Sequence, residues 1–272
     1  MTKFQVRDLV YYRPDGRPLL ARLYRPDGAG PFPGVVEVHG GAWVGGDRLN
    51  NVSIAAHLAA AGVVVLSLDF RIPPDKGYPD TVADINFGIR WFKKHAEEFG
   101  TRADLVGALG TSSGGHLLLL NVLRPRDARY AAAALPGAPD AGLKFAIVCW
   151  PVADPLTRYR VQQERGNERL VAAHHAFWPD VAAMEEGSPQ HILERGEKVT
   201  TPPALIMQGD NDDNLTPDMA ARFAEAYRRA GGDISLTMFP GEQHAFIPRD
   251  PTSENSVRAL GLMTDFVLRH GR

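Results

Sequence analysis

Four short segments hold residues that could do chemistry together: His39-Gly40-Gly41-Ala42-Trp43, Gly110-Thr111-Ser112-Ser113-Gly114-Gly115, the pair Asp212-Asp213, and His244 in Gly241-Glu242-Gln243-His244-Ala245-Phe246. A serine hydroxyl is a weak nucleophile at neutral pH and needs both an exposed position and a base to remove its proton. Ser112 lies in a G-x-S-x-G pattern, where Gly110 and Gly114 permit a sharp strand-to-helix turn that presents the hydroxyl. His244 is the candidate base, and one aspartate of the pair would fix its tautomer and stabilise the imidazolium. The local residues leave Asp212 and Asp213 both open. Attack on a carbonyl builds negative charge on its oxygen, and each preorganised N–H aimed there is worth about 3 kcal/mol. Residues without bulky side chains let the backbone come close, so Gly41 and Ala42 are the expected donors, completed by the N–H of Ser113. The implied chemistry is acyl transfer through an acyl-serine. His39 reads as a structural residue that organises the donor loop.

These residues need a scaffold that brings distant segments to one edge. Val35–Val38 and Val63–Leu68 are short, apolar, β-branched runs of the kind buried on both faces of a parallel sheet. Leu105–Leu109, Phe145–Trp150, Ala204–Gln208 and Ile234–Phe239 are further strands, and the runs around Asp8–Tyr12 and Leu19–Tyr24, separated by Arg13-Pro14-Asp15-Gly16, predict an N-terminal hairpin. Val82, Ile85, Ile89 and Phe92 recur at helical spacing, predicting an amphipathic helix from Pro79 to about Phe99. Strands alternating with helices imply a three-layer, mostly parallel α/β sheet, and all four segments follow predicted strands, at the edge where the sites of such sheets collect. From about Asp154 to Val199 the strand rhythm stops, which predicts an inserted helical lid rather than a loop.

The composition narrows the function classes. With 272 residues, 44% hydrophobic and 23% charged, the chain fits one α/β domain. A net charge of −2 with no basic tract gives no electrostatic reason to bind nucleic acid or an anionic membrane surface, and no apolar run is long enough to span a bilayer. A small-molecule partner is expected. The single cysteine, Cys149, lies in an apolar run and reads as a buried structural thiol. Charges at Lys3, Arg7 and Asp8, where a secretory signal needs apolar residues, give the expectation of a cytoplasmic protein. The segment Asp210–Asn214 is superficially like a calcium loop, but position six is Leu215 and position twelve Ala221, and no Cys/His cluster has metal spacing, so no metal is expected.

Taken together, these motifs resemble the α/β-hydrolase superfamily, in the branch of hormone-sensitive-lipase-like esterases and the related acetyl-esterase and arylformamidase-type enzymes. The likeness covers most of the chain. Asp69-Phe70-Arg71-Ile72-Pro73-Pro74, with Tyr78-Pro79 and Asp84, is similar to that branch's D-Y-R-L-A-P-E…F-P…D segment. The resemblance implies a three-layer α/β-hydrolase fold in one domain over 1–272, with an N-terminal antiparallel hairpin and the helical lid at about 154–199. It implies Asp212 as the acid, with Asp213 in reserve, and His244 as the base. It further implies a serine-dependent carboxylic ester hydrolase for small short-acyl or aromatic esters, needing no cofactor. An arylformamidase-type amide or formamide hydrolase would use the same machinery, and a non-catalytic ligand-binding module on this fold is the reading from another class. Trp43, His116, Phe177 and Trp178 are the candidate substrate contacts, and Asp69 and Arg71 read as structural. Gly-Thr-Ser-Ser-Gly-Gly departs from the branch's usual G-D-S-A-G-G, and only 38 residues precede the donor loop, which points to an open site roofed mainly by the insertion. Strand Ile234–Phe239 and the final helix could form the edge of a homodimer.

Overall fold

Apolar β-branched runs dictate the centre of the molecule. In a computed structural model that describes residues 2–272, β3 (Gly34–Val38), β4 (Val64–Leu68), β5 (Val106–Thr111), β6 (Ala146–Cys149) and β7 (Ala204–Gly209) are buried along their whole length. With β8 (Ile234–Phe239) they form the parallel part of one eight-stranded sheet. The hairpin β1 (Phe4–Tyr12) and β2 (Leu19–Pro26) joins antiparallel against β4, so the strand order is β1-β2-β4-β3-β5-β6-β7-β8.

Helices cover both faces, as parallel crossovers require. Helices α1 (Val52–Ala60) and α10 (Glu254–His270) pack together on one face, whereas α2 (Asp80–Lys94), α3 (Ser113–Leu123) and α8 (Met219–Arg229) line the other. The expected stripe on α2 is buried at Val82, Ile85, Ile89 and Phe92, and the helix ends at Lys94, before a 3₁₀ turn at Glu97–Phe99. One four-residue helix, α9 (Phe246–Arg249), follows β8.

Between β6 and β7 the chain forms four short helices: α4 (Pro155–Glu164), α5 (Glu168–Phe177), α6 (Val181–Glu186) and α7 (Pro189–Glu194). Isolated helices this short are marginal in water, and each begins with a side chain that accepts an N–H of the first turn. Asp154, Asn167, Asp180 and Ser188 are those caps, and α4 and α7 have proline in their first turn. Of the helices of the main body, α10 is capped by Ser253, whereas α1, α2, α3 and α8 have no such side-chain cap and rely on burial against the sheet. No helix among the described residues is long and apolar enough to cross a membrane.

Candidate active site

The sheet brings the four segments to one edge. Val38 pairs with Gly110, so the donor loop after β3 lies directly beside the turn after β5. Gly114 is required by that closeness: a Cβ there would strike the carbonyl oxygens of Val38 and His39. Ser112 itself has φ 53° and ψ −121°, a turn that aims its hydroxyl away from the sheet. Its Oγ is 2.8 Å from His244 Nε2, and His244 Nδ1 is 2.8 Å from Asp212 Oδ2. Asp212 also accepts bonds from Gln208 Nε2 and from the backbone N–H groups of Asn214 and Leu215. Burial alone would raise the Asp212 carboxyl, but the His244 contact, the Gln208 amide and the Asn214 N–H outweigh it and hold the group below the usual carboxylate range. The Asp213 side chain is exposed, and only its carbonyl is used, by Arg165.

In the donor loop, Gly41 has φ 127°, and a Cβ there would collide with the Gly45 carbonyl, so glycine is required. Among the described residues, the N–H groups of Gly41, Ala42 and Ser113 have no hydrogen-bond acceptor, and Gly41 and Ala42 line the cavity above Ser112. The loop is stitched to the elbow twice: Gly40 N–H donates to Thr111 Oγ1 at 3.1 Å, and Trp43 N–H donates to Ser113 Oγ at 3.1 Å. The second stitch explains the hydroxyl in Gly-Thr-Ser-Ser-Gly-Gly, where alanine would provide no acceptor. His39, buried and stacked on Phe70, donates Nδ1–H to the Gly40 carbonyl, as a structural residue would. Asp69 holds Arg48 and Arg71 is paired with the buried Asp84, both outside the cavity. Cys149 is buried, which pushes its thiol well above the ordinary range, and its carbonyl accepts the Ser112 N–H.

Backbone strain concentrates here. Among the described residues, six non-glycine residues have positive φ, and five of them, Ala42, Trp43, Ser112, Trp150 and Ala245, belong to the site. All but Trp43 line a cavity of about 370 Å³, together with Gly40, Gly41, Asn50, Asn51, Thr111, Arg169, Leu170, Asn214, His244 and Pro248.

The expected substrate contacts do not lie in this cavity. Trp43, His116, Phe177 and Trp178 are at most 3% exposed and form a buried aromatic cluster that fastens the insertion to the donor loop. Trp43 Nε1–H donates to His116 Nδ1 at 3.1 Å, His116 Nε2–H donates to the Gly187 carbonyl at 2.9 Å, and Trp43 stacks on Phe177. Burial drives the His116 imidazole down to about 4, so it stays neutral. Large aromatic surfaces contribute most when removed from water, so these rings pack the insertion against the body, beside ion pairs such as Arg124–Glu186, instead of facing the cavity. Arg169 and Leu170 are the insertion residues that face the cavity.

A polar chain beneath the donor loop carries no motif. Glu37 is buried in β3, and its Oε1 accepts Asn51 Nδ2, which also reaches Thr111 Oγ1 at 3.0 Å. Among the described residues, Glu37 Oε2 and the Ser67 hydroxyl have no hydrogen-bond partner. The visible signal was a lone acid inside Val35-Val36-Glu37-Val38. Burial pushes the Glu37 carboxyl up from 4.5 to about 7, against the Asn51 hydrogen bond that favours its charged form. The folded protein therefore keeps a proton that the unfolded chain releases between those values. The resulting stabilisation is complete below about pH 4.5 and lost by about pH 7, and amounts to about 3 kcal/mol. Glu37→Gln mimics the protonated acid, so its Tm should gain on wild type as pH rises from 5 to 8. Parallel Tm curves would show that Glu37 is not the source of a pH-dependent term.

The sheet order, the elbow after β5 and the hydrogen-bonded Ser112-His244-Asp212 line define an α/β-hydrolase fold with a serine site. A family model described as BD-FAE matches residues 22–227, most of the chain, and the protein belongs to that family. Esterase LipC of Mycobacterium tuberculosis is 28% identical over 88% of this chain and 60% of its own length. Another relative from that organism is covered over 51%, so the chain spans little more than half of these two relatives. Ethyl acetate hydrolase of Pseudomonas putida is 26% identical over 97% of this chain and 83% of its own length. Among solved structures, the propionate-bound esterase Est2 of Thermogutta terrifontis superposes with a TM-score of 0.75 at 26% identity, over 98% of this chain and 94% of that one.

Proposed function

We propose that this protein is a serine carboxylic ester hydrolase that takes small short-acyl or aromatic esters through an acyl-serine intermediate. The observation that carries the reading is the unbroken hydrogen-bonded line from Asp212 through His244 to Ser112, ending in a cavity beside two unspent amides. Ser112 Oγ attacks the ester carbonyl carbon while His244 Nε2 takes the hydroxyl proton. The carbonyl electrons move to oxygen, where the N–H groups of Gly41, Ala42 and Ser113 receive the charge. Collapse breaks the ester C–O bond, and His244 returns the proton to the departing alcohol. Water then repeats the cycle against the acyl-serine. Asp212, held ionised, orients His244 and offsets its transient positive charge. The insertion 154–199 acts as the roof, with Arg169 and Leu170 as its cavity face.

Short acyl groups are supported by two relatives, one named for ethyl acetate and one holding propionate, and a cavity of about 370 Å³ suits an ester of that size. The test is a panel of p-nitrophenyl acetate, butyrate and octanoate beside N-formylkynurenine. The expected order is high kcat/KM for acetate and butyrate with a fall at octanoate. Hydrolysis confined to the formamide would overturn the ester reading in favour of an arylformamidase-type enzyme.

A further inference from the structure

The cavity walls are electrostatically one-sided. Among the residues that line it, Arg169 is the one lysine or arginine, and no aspartate or glutamate accompanies it. Arg169 stands exposed near the start of α5, and among the described residues it has no hydrogen-bond or ion-pair partner. Behind Asn214, itself a lining residue, a second guanidinium lies fully buried. Arg158 donates Nε–H and Nη2–H to Asn214 Oδ1 at 3.1 and 2.9 Å, rests 5.2 Å over the Trp43 ring, and leaves Nη1 without a partner. Among the described residues, no carboxylate forms an ion pair with it, and the Asp212 carboxylate is engaged by His244. Burial brings the Arg158 guanidinium down to about 10, opposed by the charge of Asp212 and reinforced by that of Arg169, which leaves Arg158 charged near neutral pH. The lining amides of Asn50 and Asn214, whose oxygens accept from the Asp47 N–H and from Arg158, have N–H groups that can donate to an anion as readily as to a neutral oxygen.

On this basis, and resting on the esterase reading above, we propose that the preferred esters carry a carboxylate, which pairs with Arg169 at the roof while the scissile carbonyl sits at Ser112. A guanidinium–carboxylate contact is a charge-assisted, often bidentate bond, and it supplies binding that a neutral ester of the same shape lacks. The positive field also raises the encounter rate of anions, an effect that salt weakens.

Two isosteric pairs test the proposal on either side of the scissile bond: 4-acetoxybenzoate against 4-acetoxybenzamide, and the ethyl monoester of adipic acid against its amide. The expected result is a kcat/KM about tenfold higher for the anionic member of one pair, expressed mainly in KM and shrinking as NaCl is raised. The anionic-to-neutral ratio should fall to about one in Arg169→Gln, invert in Arg169→Glu and survive in Arg169→Lys. Equal rates within both pairs, or a preference that Arg169→Gln leaves intact, would overturn the inference while the neutral esters still turn over. Failure of wild type to hydrolyse any of the four, with no adduct from a fluorophosphonate probe, would instead remove the esterase reading beneath it.

Discussion

Ser112→Ala abolishes ester turnover, with kcat falling on the order of a millionfold, the scale on which serine sites lose activity when the nucleophile goes. The hydroxyl makes one side-chain contact, the 2.8 Å bond to His244, so its removal leaves the sheet, the elbow and the donor loop in place. A fluorophosphonate probe read by intact-protein mass spectrometry separates loss of chemistry from loss of fold. Wild type should gain a single adduct, the variant none, and the two should give the same far-UV circular dichroism. An adduct of equal yield on the variant, or wild-type-like rates, would remove Ser112 from the reaction.

The second large effect distinguishes two neighbouring aspartates. Asp212→Asn sets an amide N–H or a neutral carbonyl against His244 Nδ1, in place of an ionised acceptor at 2.8 Å. With the Nδ1 proton no longer held, the ring can present a protonated Nε2 to Ser112 and lose its function as a base, a change worth about 10⁴-fold in kcat at such sites. Asp213→Asn alters a side chain that faces solvent and should cost no more than about twofold. Steady-state kcat for the two variants on p-nitrophenyl butyrate decides the matter, and the reverse ranking would shift the acid by one position. Acid should also weaken the fold through this group. The folded carboxyl lies below its unfolded value, so its contribution is present above the ordinary aspartate range and is lost as pH falls through the lowered one.

The site was legible where backbone geometry leaves no choice of residue. Gly114 must let α3 approach β3, and Gly41 must adopt a conformation closed to side chains, so those positions announce the elbow and the donor loop in any such chain. The buried β-branched runs gave the parallel strands to within a residue or two for the same reason: few other patterns suit a sheet covered on both faces. What could not be read was the use of residues whose type suits several surroundings. Trp43, His116, Phe177 and Trp178 look like ligand contacts and core packing equally well, and only the docking of the insertion makes them core. Asn214 and Ser113 act through hydrogen bonds to Arg158 and Trp43, far away in sequence, which no local spacing encodes, and the local bonds of Gln208 and Glu37 form no motif. The four helix caps of the insertion were locally visible, and Asp154-Pro155, Asn167-Glu168, Asp180-Val181 and Ser188-Pro189 divide it at the observed helix starts.

Residues held at positive φ at Ala42, Trp43, Ser112, Trp150 and Ala245 each cost about 1–3 kcal/mol relative to a relaxed backbone. That sum is comparable with the whole net stability of an ordinary domain, and the remainder of the molecule must supply it. Under the proposed function, the geometry that turnover needs and the resistance of the fold to heat therefore pull in opposite directions at these five positions. Glycine at any of them would relax the folded chain and loosen the geometry that presents the hydroxyl, the amides and the imidazole. An engineer seeking a hardier protein has freer ground outside the cavity lining, at the uncapped starts of α2 and α8, where an added cap contributes stability without touching these residues.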